Sequence, residues 1–190
     1  MNKNIVFCDL DGTIVNSEEI RIETYFQSFK FLGIKNINYP SLNELIGNSE
    51  ISNIYKIKPD LKKYELNRVL MVRKDFLNKV DIKKIKPKSK VLKEVLSFKE
   101  IVVVTNSSLD YAKRIINIYL PRSKDIITPS KSLAPKPKPD MYQYAFKKYA
   151  FNSKKIVFED SEPGIVSAKL AGADLINKVV NEKILQINLD

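Results

Sequence analysis

Two carboxylates stand one residue apart in Asp9-Leu10-Asp11, directly after an apolar run, and Gly12 and Thr13 follow. The run Ile5-Val6-Phe7-Cys8, bounded by this turn signal, reads as a buried strand. On an extended chain, positions two apart face the same side. If the geometry stays extended to Asp11, both carboxylates aim at the carboxyl end of the strand, where open α/β sheets place ligands. Carboxylates sharing one patch repel each other. A bound divalent cation relieves that repulsion, and so does a raised pKa that keeps one of them protonated. Both devices serve phosphoryl chemistry. Alone, the stretch equally suits a strand ending in an Asp-Gly turn.

Three more polar clusters follow: Thr105-Asn106-Ser107-Ser108, then Lys136-Pro137-Lys138-Pro139-Asp140, then Glu159-Asp160-Ser161. The chain has no histidine, so proton transfer falls to Asp, Glu, Lys, Tyr or Cys, and a His-based triad is excluded. A single cysteine, Cys8, excludes a Cys-rich zinc site and an internal disulfide framework. Cys8 adjoins Asp9 but is expected to point the opposite way, into the core. The net charge is +11, which suits a solvated surface or attraction of anions. The lysines are spread along the whole chain, with no Arg-rich helix, RNP-like aromatic pattern or zinc finger, so nucleic acid is not the expected partner. No apolar run approaches the roughly 20 residues of a membrane span, and no secretory signal precedes the first strand. The expected location is cytoplasmic, without membrane attachment, and the expected state is monomeric.

The elements that must carry these clusters follow from periodicity. After Thr13, Ser17 is placed to cap a helix carrying Ile22, Tyr25, Phe26, Phe29 and Leu32, stopped at Gly33. Ser41-Leu42-Asn43-Glu44 has the form of a capping box, opening a short helix that ends at Gly47. Asp60 is placed to cap a third helix with Leu61, Tyr64, Val69, Phe76, Leu77 and Val80 on its apolar face. Residues 15–85 thus read as an all-helical insert. The Lys- and Pro-containing run 83–90 reads as a hinge or solvated connector. Then come a helix capped by Ser89, a strand over 101–105, a helix from 109 to 120 and a strand over 126–128. A proline-rich loop leads to a helix opening at Pro139. A strand over 156–158, a helix ending at Gly172 and a last short strand at Leu175-Ile176 complete the pattern. Strands alternating with helices imply an α/β fold with a mainly parallel sheet covered on both faces. The expected organisation is a Rossmann-like core from residues 1–14 and 86–190, with a small helical cap, 15–85, inserted after the first strand.

In this order and spacing, the four clusters resemble the haloacid dehalogenase-like hydrolase superfamily. The likeness is closest to its branch with a helical cap after the first motif, which holds β-phosphoglucomutase-like and phosphoglycolate phosphatase-like proteins. It covers nearly the whole chain and is tightest over Phe158-Glu159-Asp160-Ser161-Glu162-Pro163-Gly164-Ile165 with Ala171-Gly172. The resemblance implies a central first strand flanked by the Thr105 and Asp160 strands. It implies a Mg²⁺ site from Asp9, Asp160 and the main-chain carbonyl of Asp11. It makes Asp9 the nucleophile that forms an aspartyl-phosphate. Asp11 then protonates the leaving oxygen and later deprotonates the attacking water. Thr105 binds a phosphoryl oxygen, and Lys136 neutralises charge on the phosphoryl group and Asp9. Gly12, Thr13, Asn106, Ser107, Gly47 and Asn48 are the expected substrate contacts, with Glu159 and Ser161 supporting them from behind.

These features imply a Mg²⁺-dependent phosphatase for a small phosphorylated metabolite. A β-phosphoglucomutase-like mutase is the alternative. The mutases carry a Lys-Asn pair, a cap Arg and a cap His where this chain has Ser108-Leu109, Glu50 and Arg21 or a neighbour. A basic interaction module on a retained fold is the third reading. Asn16 and Lys90 also depart from the branch, which usually has Asp and Gly there.

Overall fold

The structure, a computed structural model, describes residues 4–187 and residue 189. Its element order is β1 (Ile5–Cys8), α1 (Glu18–Phe31), α2 (Leu42–Leu45), α3 (Glu50–Ile57), α4 (Lys63–Lys79), α5 (Ser89–Leu96), β2 (Glu100–Val104) and α6 (Leu109–Tyr119). β3 (Asp125–Ile127), α7 (Asp140–Tyr149), β4 (Ile156–Glu159), α8 (Glu162–Leu170), β5 (Leu175–Val180) and β6 (Lys183–Ile187) complete it.

The strands form one sheet in the order β3-β2-β1-β4-β5-β6. All neighbours are parallel except the β5–β6 hairpin. β1 is therefore inside the sheet, with β2 and β4 on its two sides, as expected. The period-two alternation of β1 divides the core. Val6 and Cys8 join Ile101, Val103, Val91, Val95, Ile115 and Phe158 on one face. Ile5 and Phe7 join Val102, Val104, Met141, Ala145, Phe146 and Ile165 on the other. Strands covered on both faces read as continuous apolar runs, which is what β1 and β2 are. Cys8 is buried in the first cluster, and burial pushes its thiol pKa up, so it is an inert core residue.

Helices α1, α3 and α4 share a separate apolar cluster of Tyr25, Phe29, Ile54, Ile57, Leu61, Leu66 and Val69. Four helices fill this stretch among the described residues, one more than periodicity predicts. The added one, α3, opens on Ser49, whose hydroxyl accepts from Ser52 N at 3.3 Å. α4 opens at Lys63 and not next to Asp60: Glu65 accepts from Lys62 N at 2.9 Å at the helix start, while the Asp60 carboxylate pairs with Lys58 Nζ. Tyr64, expected on the apolar face, is exposed.

The run 83–90 is not a loose connector. A 3-10 helix covers Ile82–Lys84, Ile85 is fully buried and Pro87 bridges Val15. Lys88 is also buried, with Nζ donating to the carbonyl of Gly12. Lys88, not Ser89, holds the cap position of α5, since its carbonyl accepts from Leu92 N at 2.8 Å. The last expected strand is longer than two residues and turns into β6. That turn places Asn181 and Glu182 at φ 45° and 62° without a glycine, so the usual hairpin signal is missing. No helix among the described residues is long and apolar enough to cross a membrane.

Candidate active site

Three chain segments leave the carboxyl edge of the sheet side by side. The first follows β1. Asp9 N still donates to Phe158 O at 3.0 Å, so Asp9 continues the ladder. The chain then turns: Ile14 N donates to Leu10 O, and Gly12 N to Val15 O. Gly12 has φ +80°, and a Cβ there would lie 2.2 Å from the Asp160 carboxylate and nearer still to Glu18. Only glycine fits this turn against these side chains.

Asp9 is buried, and Lys136 Nζ donates to its Oδ1 at 2.6 Å. The same ammonium contacts Glu159, which is fully buried and accepts from Tyr142 Oη at 2.7 Å. Burial works against the charge on Lys136, yet Asp9 and Glu159 outweigh it and hold its pKa above the lysine range. Burial raises the pKa of Glu159 too, with Lys136 opposing. Asp9 is pushed up to about 8 by burial, only partly relieved by Lys136 and reinforced by Glu159 and Asp11. Asp160, partly exposed, is pushed up to about 8 by desolvation, Asp9 and Glu18. Thr13 Oγ1 donates to Asp160 Oδ1 at 2.7 Å.

Asp11 occupies a different setting. It accepts from Ser17 Oγ and Ser107 Oγ, both at 2.5 Å, and pairs with Arg21 at 3.2 Å. Ser17 sits at the cap position of α1, but its hydroxyl serves Asp11 and caps nothing. Thr105 is buried, with its hydroxyl oxygen accepting from Ser107 N at 3.1 Å. Asn106 ties three segments together. Its Nδ2 donates to Gly47 O and Lys136 O, both at 3.1 Å, and its Oδ1 accepts from Lys136 N at 2.9 Å.

One narrow cavity of about 30 Å³ collects Asp9, Asp11, Thr105, Asn106, Lys136, Ser161, Gly47 and Asn48 from the expected residues. Gly12, Thr13, Ser107, Glu159 and Asp160 lie around it but do not line it. Thr13 and Ser107 instead hold carboxylates through their hydroxyls. The cavity is also lined by Glu18, Arg21, Tyr25, Asn53 and Arg73 from the helices. Of these, the sequence singles out Tyr25, as an apolar-face residue of the first helix, and Arg21 or a neighbour, as standing where mutases have histidine. Arg73 carries a legible signal all the same. It lies four residues from both Val69 and Leu77, so it interrupts the buried stripe of α4. Asn53 is likewise a polar residue among the buried positions of α3.

Carboxylate oxygens of Asp9, Glu159 and Asp160 lie within 4.8 Å of one another, so among the described residues they could hold a metal ion. Oxygen-only donors whose pKa values are driven up by burial and mutual repulsion suit a hard divalent cation.

A family model described as haloacid dehalogenase-like hydrolase matches residues 5–178. The chain belongs to the haloacid dehalogenase-like hydrolases. Solved structures share this fold at low sequence identity. A haloacid dehalogenase-like family hydrolase from Streptococcus pneumoniae is 19% identical with a TM-score of 0.74, covering 94% of this chain and 85% of that one. CbbY from Rhodobacter sphaeroides, in complex with phosphate, is 17% identical with a TM-score of 0.71, covering 95% and 88%. A protein from Lactobacillus plantarum, provisionally described as a phosphoglycolate phosphatase, is 15% identical with a TM-score of 0.78, covering 96% and 88%. No curated protein matches the chain.

Proposed function

We propose that this hydrolase is a Mg²⁺-dependent phosphatase acting on a small phosphomonoester. The family match supports a phosphoric monoester hydrolase, as does a fold shared with a protein described as a phosphatase. The observation that carries the reading is the buried Lys136–Asp9 contact opening on the same cavity as Asp11.

Asp9 attacks the phosphorus atom and becomes an aspartyl-phosphate as the ester oxygen leaves. Asp11, held by two hydroxyls, gives a proton to that oxygen, then takes one from the water that hydrolyses the intermediate. Lys136 offsets charge on Asp9 and on the phosphoryl group, and Thr105 donates its hydroxyl to a phosphoryl oxygen. Asp9, Asp160 and the main-chain carbonyl of Asp11 would hold the Mg²⁺, which when bound neutralises phosphoryl charge and orients the transfer. Helices α1 to α4 act as a cap. In this reading they part to admit substrate to the small cavity, and the Asn106 bond to Gly47 O joins the cap loop to the core when they close. A phosphorylated metabolite in a cytoplasmic setting is the corresponding partner.

The test is phosphate release from a panel of phosphomonoesters, with Mg²⁺ and with excess chelator, beside Asp9→Asn. Release that needs the metal and disappears in the variant is expected. Release at wild-type rate by Asp9→Asn overturns the reading. A folded protein that releases nothing shifts weight to bisphosphate-primed isomerisation.

A further inference from the structure

The candidate active site lies at the carboxyl edge of the sheet. The opposite, amino edge carries a larger cavity of about 490 Å³, lined by Ile5, Ile156 and Leu175 at the starts of β1, β4 and β5. Ile184 from β6, Phe158 from β4 and Phe98, just after α5, extend its apolar wall. The two phenyl rings meet edge to face, with centroids 6.4 Å apart. A cavity of this volume and lining suits a small organic molecule.

Asn177 is the polar exception in the wall. Asparagine is depleted in strands, yet it interrupts the apolar run of β5 and is only 5% exposed. The register sets Phe158 beside Asn177 and Asn177 opposite Gln186, so the three share one face of the sheet. All three line the cavity. Neither carboxamide has a hydrogen-bond partner for its side chain among the described residues. Buried polar side chains are almost always paired, so Asn177 calls for an explanation. Packing gives none, since a leucine of similar size would fill the position without burying an unpaired polar group.

A free carboxamide presents an acceptor and a donor side by side. Its complement is an uncharged edge that also sets a donor next to an acceptor. An ionised carboxylate lacks the donor, and an aliphatic chain lacks both. Adenine carries N6–H and N7 in that arrangement and pairs bidentately with Asn or Gln. Its flat ring also matches the aromatic part of the wall. We infer that this cavity binds the adenine base of a nucleoside or nucleotide, with Asn177 and Gln186 on its polar edge and Phe98 and Phe158 against its ring. The site is separate from Asp9 and Asp11 and does not depend on the phosphatase reading.

The experiment titrates adenosine, inosine and AMP into the full chain without metal. Calorimetry gives the affinity, and NMR shifts of backbone and side-chain amides give the location. Adenosine should bind saturably and move the Asn177 and Gln186 side-chain signals, while Thr105 and Lys136 stay in place. Inosine, with a carbonyl in place of the N6 amine, should bind about ten-fold or more weakly. Asn177→Leu should weaken adenosine binding about ten-fold or more while melting at or above the wild-type temperature, which separates lost binding from lost folding. Gln186→Leu, at an exposed position of β6, carries the same binding expectation if Asn177→Leu fails to fold. Lys154 is exposed and also lines the cavity. AMP binding tighter than adenosine, with the gain lost in Lys154→Gln, assigns the base to a nucleotide, and equal binding assigns it to a nucleoside. No saturable binding of adenosine, equal affinity for inosine, or unchanged affinity in the variants overturns the inference, as do shifts confined to Thr105 and Lys136.

Discussion

Lys136 Nζ sits 2.6 Å from Asp9 Oδ1 across 127 positions of chain, and the same ammonium also contacts Glu159. One buried cation thus separates two buried carboxylates. Replacing it with a neutral residue leaves both without compensation. Lys136→Met is expected to lose about 3–5 kcal/mol of stability, as removal of one partner from a buried ion pair does. Urea unfolding at neutral pH checks this, and a midpoint equal to wild type would contradict the network.

Asp11 accepts from Ser17 at Oδ1 and from Ser107 at Oδ2; an asparagine keeps one acceptor oxygen for Ser107, and its NH₂ donates to the oxygen of Ser17, whose hydroxyl rotates to suit. Asp11→Asn should therefore fold. It should lower kcat by about a hundred- to ten-thousand-fold, the range of a lost general acid–base. The loss should be larger for alkyl phosphates than for nitrophenyl phosphate, whose leaving group needs no proton. A loss of equal size on both substrates would remove the acid role.

Gly47 has φ +73°, and a Cβ there would lie 2.4 Å from Ser161 Cβ at the start of α8. Gly47→Ala must push the α2–α3 loop away from Ser161 at the start of α8. Its intrinsic cost at this left-handed position is about 1–2 kcal/mol. The expected result is a small drop in melting temperature with a fall in kcat/KM of about ten-fold or more, because closure positions the reacting groups. Unchanged kinetics would show that this contact plays no part in closure.

Asp9 and Asp160 each rise from 3.8 to about 8 on folding. A folded state that holds protons longer than the unfolded one loses stability as pH rises between those two values. For metal-free protein, melting curves from about pH 5 to 8 should show Asp160→Asn gaining on wild type as pH increases. Adding Mg²⁺ should reverse the trend and stabilise wild type most at the high end, where its ligands are deprotonated. A wild-type curve parallel to that of Asp160→Asn, with no response to Mg²⁺, would count against the metal site.

The alternation of strand and helix and the carboxylates at the edge of β1 are legible in the amino-acid sequence, whereas the interior position of β1 in the sheet is implied only by the family resemblance. Hydrophobic period, caps and turn residues act over a few neighbouring positions, so a linear reading captures them. The capping box of α2, with Ser41 N donating to Glu44 at 2.8 Å, and the helix stop at Gly33, with φ +67°, are such local facts. β6 escapes that reading because Asn181-Glu182 makes its turn without a glycine, and polar residues interrupt its short apolar pattern.

Other features depend on partners far away in the chain. Lys88 belongs to a run of lysines that reads as solvated, yet it is buried against Gly12, 76 positions earlier. Ser17 has the type and place of a helix cap, but its hydroxyl goes to Asp11. Arg73 and Asn53 interrupt the buried stripes of their helices, but only the packing of α1, α3 and α4 brings them to the cavity that holds Asp9. Residue types and local spacing thus establish which chemistry the chain could perform. The burial, charge pairing and helical lining around these residues arise from long-range packing, where a side chain's setting is fixed by what is folded against it.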